Sequence, residues 1–343
     1  LLWRRGGCAW WNPPWRKFLQ ILNLWSARFG FWGGGTTGEA KIIHRTHYQT
    51  EVWRRKQNQT YLLFILPAFA FFFTFFLLPF AQSLVLAFTD AYGYNKHFHF
   101  IGLANFKEAL SNRAFLRAIW VTVRYTLFVT LGANVSALVL ALLLDSNTHF
   151  KKLFRAVFFL PNLMSLIIVG FVWVFLYGNV YRSAVQAFGI PEAYQISWLG
   201  SMKLAVYSIG LTAIWQCAGY YMIIYIAGLQ NISKDLLEAA AVDGANKWTV
   251  ITRIKLPLLA PVVVMNVILC LASCFKAFDI PMAMTSGGPA GATTTIALQI
   301  YNTGFSSNRT GYATAQSIIL FLIISAITAA VYLFQGRKDA SNA

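Results

Sequence analysis

From residue 61 onward the chain alternates long apolar runs with short polar stretches. The runs are Tyr61–Phe88, Trp120–Leu144, Ala156–Tyr177, Leu204–Leu229, Leu258–Met284 and Ala313–Phe334. Each is long enough, as a helix rising 1.5 Å per residue, to cross a hydrocarbon layer of about 30 Å. Helices are the economical reading, because backbone amides in hydrocarbon must bond within their own segment. The alternation with period two that marks a membrane barrel is absent. Pro67, Pro79, Pro161, Pro257 and Pro281 mark kinks or ends. The pattern predicts an all-α membrane protein with six transmembrane helices.

Composition agrees: 57% of the 343 residues are hydrophobic and 11% charged, too apolar to clothe a water-soluble globule. Thirteen Lys and Arg fall in segments on the N-terminal side, among them Lys151, Lys152, Arg155, Lys234, Arg253 and Lys255, against seven on the other. The positive-inside rule therefore places both termini in the cytoplasm. A net charge of +17 raises nucleic acid as a partner. The basic residues sit beside apolar runs, however, where anionic lipid headgroups are nearer, so no nucleic-acid binding is expected. Cys8, Cys217, Cys270 and Cys274 form no CxxC pair, which indicates neither a disulfide framework nor a zinc site.

Residues 1–56 differ in character. They hold seven of the twelve tryptophans, ten Lys or Arg and no acid before Glu39. One reading makes Trp10–Trp32 an interfacial amphipathic helix. The other makes 1–56 a basic, Trp-rich extension that is spurious or disordered, a translated upstream stretch. The transmembrane domain is then 57–336 and the cytoplasmic tail 337–343.

Of the eleven acids only Asp279 lies within a predicted span, and all five histidines lie outside the spans. Proton coupling or intramembrane catalysis needs ionisable groups at depth. No phosphate-binding loop, metalloprotease helix or nucleophile elbow is present. The chain itself is expected to perform no covalent chemistry and to hold no catalytic residue, metal or cofactor, so energy for transport must come from a partner.

The polar stretch Asn231–Leu256 reads as two short helices around a turn. Ser233 suits an N-cap, Leu236, Leu237, Ala240 and Ala241 line one face, and Gly244 suits a left-handed C-terminal position. Trp248, Ile251 and Ile254 give the second helix an apolar face, and Pro257 closes it. An apolar-faced hairpin in water calls for a protein groove.

Glu238, Ala239 and Ala240, with Asp243 and Gly244 following, then Ile254, Leu256 and Pro257, resemble the EAA signature of ATP-binding-cassette (ABC) importer permeases. The resemblance runs through residues 60–335 and is similar to the carbohydrate branch, the oligosaccharide and glycerol-phosphate permeases. Phe88-Thr89-Asp90, Phe100–Phe106, Phe158–Pro161, Phe278-Asp279 and Met284–Pro289 also carry it. It implies the type I ABC importer permease fold with a cytoplasmic coupling-helix hairpin, and a multi-pass place in the bacterial inner membrane. It implies further a homologous second permease subunit, a dimeric cytoplasmic ATPase that holds ATP and Mg, an extracytoplasmic solute-binding protein and a carbohydrate substrate. The hairpin would dock on the ATPase. A gradient-driven secondary transporter and a non-transporting membrane scaffold are the rival readings.

For the substrate path the fourth run offers Trp215, Gln216, Tyr220 and Tyr221, rings for pyranose faces and polar groups for hydroxyls. Similarity to the maltose permease puts Trp215 and Tyr220 near sugar-contacting positions, while Gln216 and Cys217 depart from its pattern. Aromatic packing between helices is the alternative. In the fifth run Ser273, Lys276 and Asp279 are polar. Lys276 and Asp279, three apart, read either as an ion pair on one helical face or as a site where Lys276 binds a uronate or phosphate. Asn162 and Gln316 suit substrate or interhelical hydrogen bonds.

Overall fold

A computed structural model describes residues 65–93, 95, 97–145, 150–191 and 195–342, with side chains through Leu333. The expectations for residues 1–56 and the start of the first run lie outside the described residues. The chain divides into two units, Leu1–Leu77 and Leu78–Ala343. Helix α1, Ile65–Leu86, passes from the first into the second. In its first part Phe71 stacks on Phe75 and Phe72 on Phe76, with ring centroids 5.8 and 5.3 Å apart.

The second unit continues with α2 (Ala104–Ser111), α3 (Arg113–Asp145), α4 (Lys151–Leu163), α5 (Leu166–Ala187) and α6 (Ala205–Gln230). Then come α7 (Lys234–Val242), α8 (Lys247–Leu258), α9 (Ala260–Phe275), α10 (Asp279–Thr285), α11 (Ile296–Tyr301) and α12 (Thr310–Asn342). Five of these helices, α1, α3, α5, α6 and α12, are long and apolar enough to cross a membrane; α8 and α9, bent by 63° at the break between them, reach a sixth only when counted together. Among the described residues there is no strand, and one isolated bridge joins Thr89 to Phe100.

The core lies between α3 and α6. On α3 the inward stripe is Val121, Tyr125, Val129, Ala133, Ala137 and Ala141, repeating every fourth residue; Leu127, Leu131, Val135 and Val139 form an outward stripe with the same period. Without a hydrophobic drive between helices in lipid, small inward residues matter because they let backbones approach and gain dispersion contact. Tyr225 Oη donates to Asn134 Oδ1 at 2.8 Å and closes the interface with a buried polar pair.

Two predicted spans require correction. The run Ala156–Tyr177 is not one helix: α4 ends at Leu163, Met164 is extended, and α5 starts at Leu166. Pro161 stands in the last turn of α4, and α4 packs on α6 where Gly219 removes the side chain between them. A Cβ on Gly219 would lie 1.9 Å from Phe158 O. The run Leu258–Met284 is broken as well. Lys276 caps the end of α9, and Asp279 begins α10. Pro281 has no N–H to give the Ala277 carbonyl four residues back. That carbonyl accepts instead from Thr295 Oγ1 at 2.7 Å.

At the end of the unit away from α7 and α8, the stretches Phe88-Thr89-Asp90 and Phe100–Phe106 form a girdle. Buried Asn105 donates to the Ala87 and Thr89 carbonyls at 2.9 and 2.8 Å, and the Gly311 N–H donates to Ala91 O at 2.9 Å. Arg309 grips Glu108 with two bonds of 2.6 Å, tying α2 to the start of α12.

Candidate coupling hairpin and substrate cavity

The hairpin folds as its residues dictate. Ser233 Oγ accepts from the Asp235 N–H, which opens α7, and Asp235 sits in the first turn where the helix dipole favours a carboxylate. At the other end the Ala245 N–H reaches Ala240 O at 2.9 Å and the Gly244 N–H reaches Ala241 O at 3.1 Å, the two bonds of a Schellman stop. Gly244 takes φ +77°, open to glycine without strain, and nothing lies within 4 Å of where its Cβ would be. Asn246 Oδ1 caps α8 through the Thr249 N–H, and a π-helical stretch over Val250–Lys255 leads to Leu256 and Pro257.

Neither helix of the hairpin buries a residue as far as Lys255. Val242 is 88% exposed and Trp248 72%. Glu238, Ala239, Asp243 and Gly244 are exposed too, while Ile254 and Leu256 are half-buried where α8 returns to the core. The base of the hairpin is fixed: Lys255 Nζ meets Asp145 Oδ2, the last residue of α3, at 2.5 Å. At its base the hairpin is therefore joined to α3 by an ion pair and to α9 by the chain itself.

Where α9 breaks, a cavity of about 290 Å³ opens between α3, α6 and the α9–α10 corner. Gln216, Tyr221, Ser273, Lys276 and Asp279 all line it. The structure thus brings together five of the eight residues assigned to the substrate path. Lys276 and Asp279 form no ion pair among the described residues, so the paired reading of their spacing fails. Each instead sits at a helix end of favourable sign, Lys276 at the C-terminus of α9 and Asp279 in the first turn of α10.

Trp215, Tyr220 and Asn162 do not line this cavity. Trp215 meets Trp173 of α5 edge-on at 5.6 Å, and Tyr220 meets Tyr221 at 5.2 Å. Gln316, read as a hydrogen-bonding residue, is fully buried with both amide atoms unpartnered among the described residues. Sequence reasoning missed Tyr125, Cys217, Cys270 and Cys274 as cavity residues. The two buried thiols of α9 lie 3.9 Å apart, and their i, i+4 spacing on a polar-flanked helix was the available signal. Among the described residues no three His, Cys, Asp or Glu side chains are arranged to hold a metal ion.

The family of binding-protein-dependent transport system inner membrane components matches residues 133–339, which include the hairpin and every cavity residue except Tyr125 and Val129. The multiple sugar-binding transport system permease protein MsmF of Streptococcus mutans is 34% identical over 254 residues, 74% of this chain and 87% of MsmF. The sn-glycerol-3-phosphate transport system permease protein UgpA of Agrobacterium fabrum is 32% identical over 285 residues, 80% of this chain and 94% of UgpA. In fold, the chain is similar to one from a bacterial ABC transporter involved in the import of the acidic polysaccharide alginate. That likeness has a TM-score of 0.74 at 23% identity and covers 84% of this chain and 99% of the other. With an exposed hairpin on a bundle of helices long and apolar enough to cross a membrane, this chain belongs to the binding-protein-dependent transport system inner membrane components, as a translocation subunit rather than an enzyme.

Proposed function

We propose that this chain is the permease subunit of an ATP-driven importer that takes up a carbohydrate, with α7 and α8 as its contact to the motor. The observation that carries the reading is the hairpin, which leaves Val242 and Trp248 bare while Lys255 ties its base to α3. Exposed apolar side chains on a folded helical hairpin are costly in water unless a partner covers them. A dimeric cytoplasmic ATPase holding ATP and Mg is that partner. A second permease subunit completes the path, and an extracytoplasmic binding protein delivers the cargo. Both termini then face the cytoplasm of a bacterial cell, with α2, the Gln195–Gly200 loop and the α10–α11 loop outside.

The carbohydrate assignment draws on the relatives' substrates, several sugars for MsmF and a glycerol phosphate for UgpA, and on the cavity. Gln216, Ser273, Lys276 and Asp279 supply donors and acceptors beside the Tyr221 ring, the mixture that hydroxyl-rich ligands require.

The test is uptake by the assembled importer. Glu238→Ala and Gly244→Asp should reach the membrane and bind the other subunits' membrane parts, yet lose transport-coupled ATP hydrolysis by at least about tenfold, which is about 1.4 kcal/mol of coupling. Normal uptake by both variants would remove the coupling role of the hairpin.

A further inference from the structure

A second cavity, of about 370 Å³, lies between the Tyr177–Arg182 part of α5 and the Gln195–Gly200 loop. That loop leads into α6, whose far end carries the coupling hairpin, so the cavity is at the opposite membrane face from the hairpin. Its wall is aromatic. Trp198 stacks on Tyr177 with centroids 5.4 Å apart and meets Tyr181 edge-on at 5.8 Å.

These rings are held by backbone bonds. Tyr177 Oη donates to Ser208 O at 3.1 Å, the Ile196 N–H donates to Tyr181 Oη at 2.8 Å, and Ser208 Oγ donates to Trp198 O at 2.8 Å. Arg182 and Gln195 line the same space, and Arg182 has no carboxylate partner among the described residues. Here α5 widens into a π-helical turn over Leu176–Val180, a distortion that recurs at functional positions.

From Tyr177 the file of rings continues through Trp173, at 5.2 Å, to Trp215 of α6, at 5.6 Å. Five rings thus join the outer cavity to the fourth span. Pure packing does not explain them. The indole nitrogens of Trp173 and Trp198 are buried with no acceptor among the described residues. Leaving a buried donor unmade costs about 1–3 kcal/mol, a cost that Phe or Leu at those positions would avoid.

We propose that this outer cavity is a second carbohydrate subsite, holding the trailing part of an oligosaccharide whose leading sugars enter the cavity at Lys276 and Asp279. The inference rests on the carbohydrate reading above. Indole and phenol faces take the C–H face of a pyranose, and Arg182 and Gln195 bond its hydroxyls. Leu166 of the inner cavity and Val174 of the outer one lie eight residues apart on one helix. That is about 12 Å along its axis, a span bridged by a chain of several sugars and not by a disaccharide.

The test compares short and long cargo. The whole importer in proteoliposomes, with saturating binding protein, is given maltose and maltopentaose, and separately di- and pentamannuronate. Trp198→Leu and the exposed Arg182→Gln are each set against the unaltered chain. Expected is an about fivefold rise in KM for the transported pentasaccharide, with kcat and the disaccharide's KM changed less than about twofold, the pattern of a lost binding contact. An equal change for both chain lengths, as from a packing defect or a face that docks the binding protein, overturns the subsite. So does no change in either variant. If the unaltered importer takes up none of the four sugars, the carbohydrate reading itself falls, and the subsite with it.

Discussion

Lys255 and Asp145 stand 110 residues apart in the chain, and their side chains meet at 2.5 Å where the α7–α8 hairpin joins the end of α3. Both are largely shielded, 17% and 25% exposed. Removing one partner leaves the other charge half-buried without its counter-ion, a larger loss than an exposed pair would give. Asp145→Asn and Lys255→Gln should each lower stability by about 1–2 kcal/mol. Each should also weaken the dependence of ATP hydrolysis on cargo. The swapped pair, Asp145→Lys with Lys255→Asp, should recover part of both, and a double-mutant cycle in melting temperature and ATPase rate reads the coupling directly. Zero coupling in both would mean that the hairpin acts through the chain alone.

Gly219 and Phe158 set the distance between α4 and α6. A methyl group on Gly219 would lie 1.9 Å from Phe158 O, 2.6 Å from its carbon and 2.9 Å from Phe159 Cα, all backbone atoms that no rotamer change can clear. Gly219→Ala should therefore push α4 off α6 at a cost of about 1–3 kcal/mol or more. The purified subunit should melt several degrees lower. A melting temperature within one degree of the original would show that the two helices are not so closely seated.

How much of this was legible in the sequence depends on how local the cause is. Ser233 and Gly244 act within a few residues, so the hairpin could be read with its cap and its turn. The spans α3 and α6 could be read because each predominantly apolar run continues without a proline. The break between α4 and α5 was only half legible: Pro161 marked a kink or end, but the apolar residues on both sides, Phe158–Leu160 and Leu166–Val169, let the run pass for one span. The cavity was half legible. Its polar residues stand out in an apolar run, but their helical spacing suggested a pair. The corner that separates them depends on Pro281 and on Thr295, which takes the freed Ala277 carbonyl.

Glu108 and Arg309 make a prediction about pH. The Arg309 guanidinium bonds both Glu108 oxygens and holds that carboxyl below its ordinary value, the bond outweighing the opposing effect of partial burial. A group whose folded value is depressed stabilises the protein above its unfolded value, and the contribution disappears as pH falls through the folded one. Both side chains are 42% exposed, so solvent screening limits the pair to about 0.5–1 kcal/mol. Melting curves from pH 7 down through about pH 4 should show that increment lost in the original chain, with Glu108→Gln lower at neutral pH and converging with it in acid. Parallel curves across the range would show that the pair contributes nothing to stability.

Lys276 and Asp279 separate two roles that the sequence left open. A structural ion pair tolerates joint removal, since neutralising both partners leaves no orphaned charge. Two groups that each face cargo do not. In this fold they occupy the ends of different helices, unpaired, on the wall of one cavity. Lys276→Met and Asp279→Leu should each reduce uptake by about tenfold, and the double variant should be no better than the worse single one, the loss of separate contacts rather than of one shared bond. The readout is initial uptake rate at fixed subunit abundance in the membrane. Recovery of transport in the double variant would restore the ion-pair reading and take both residues off the substrate path.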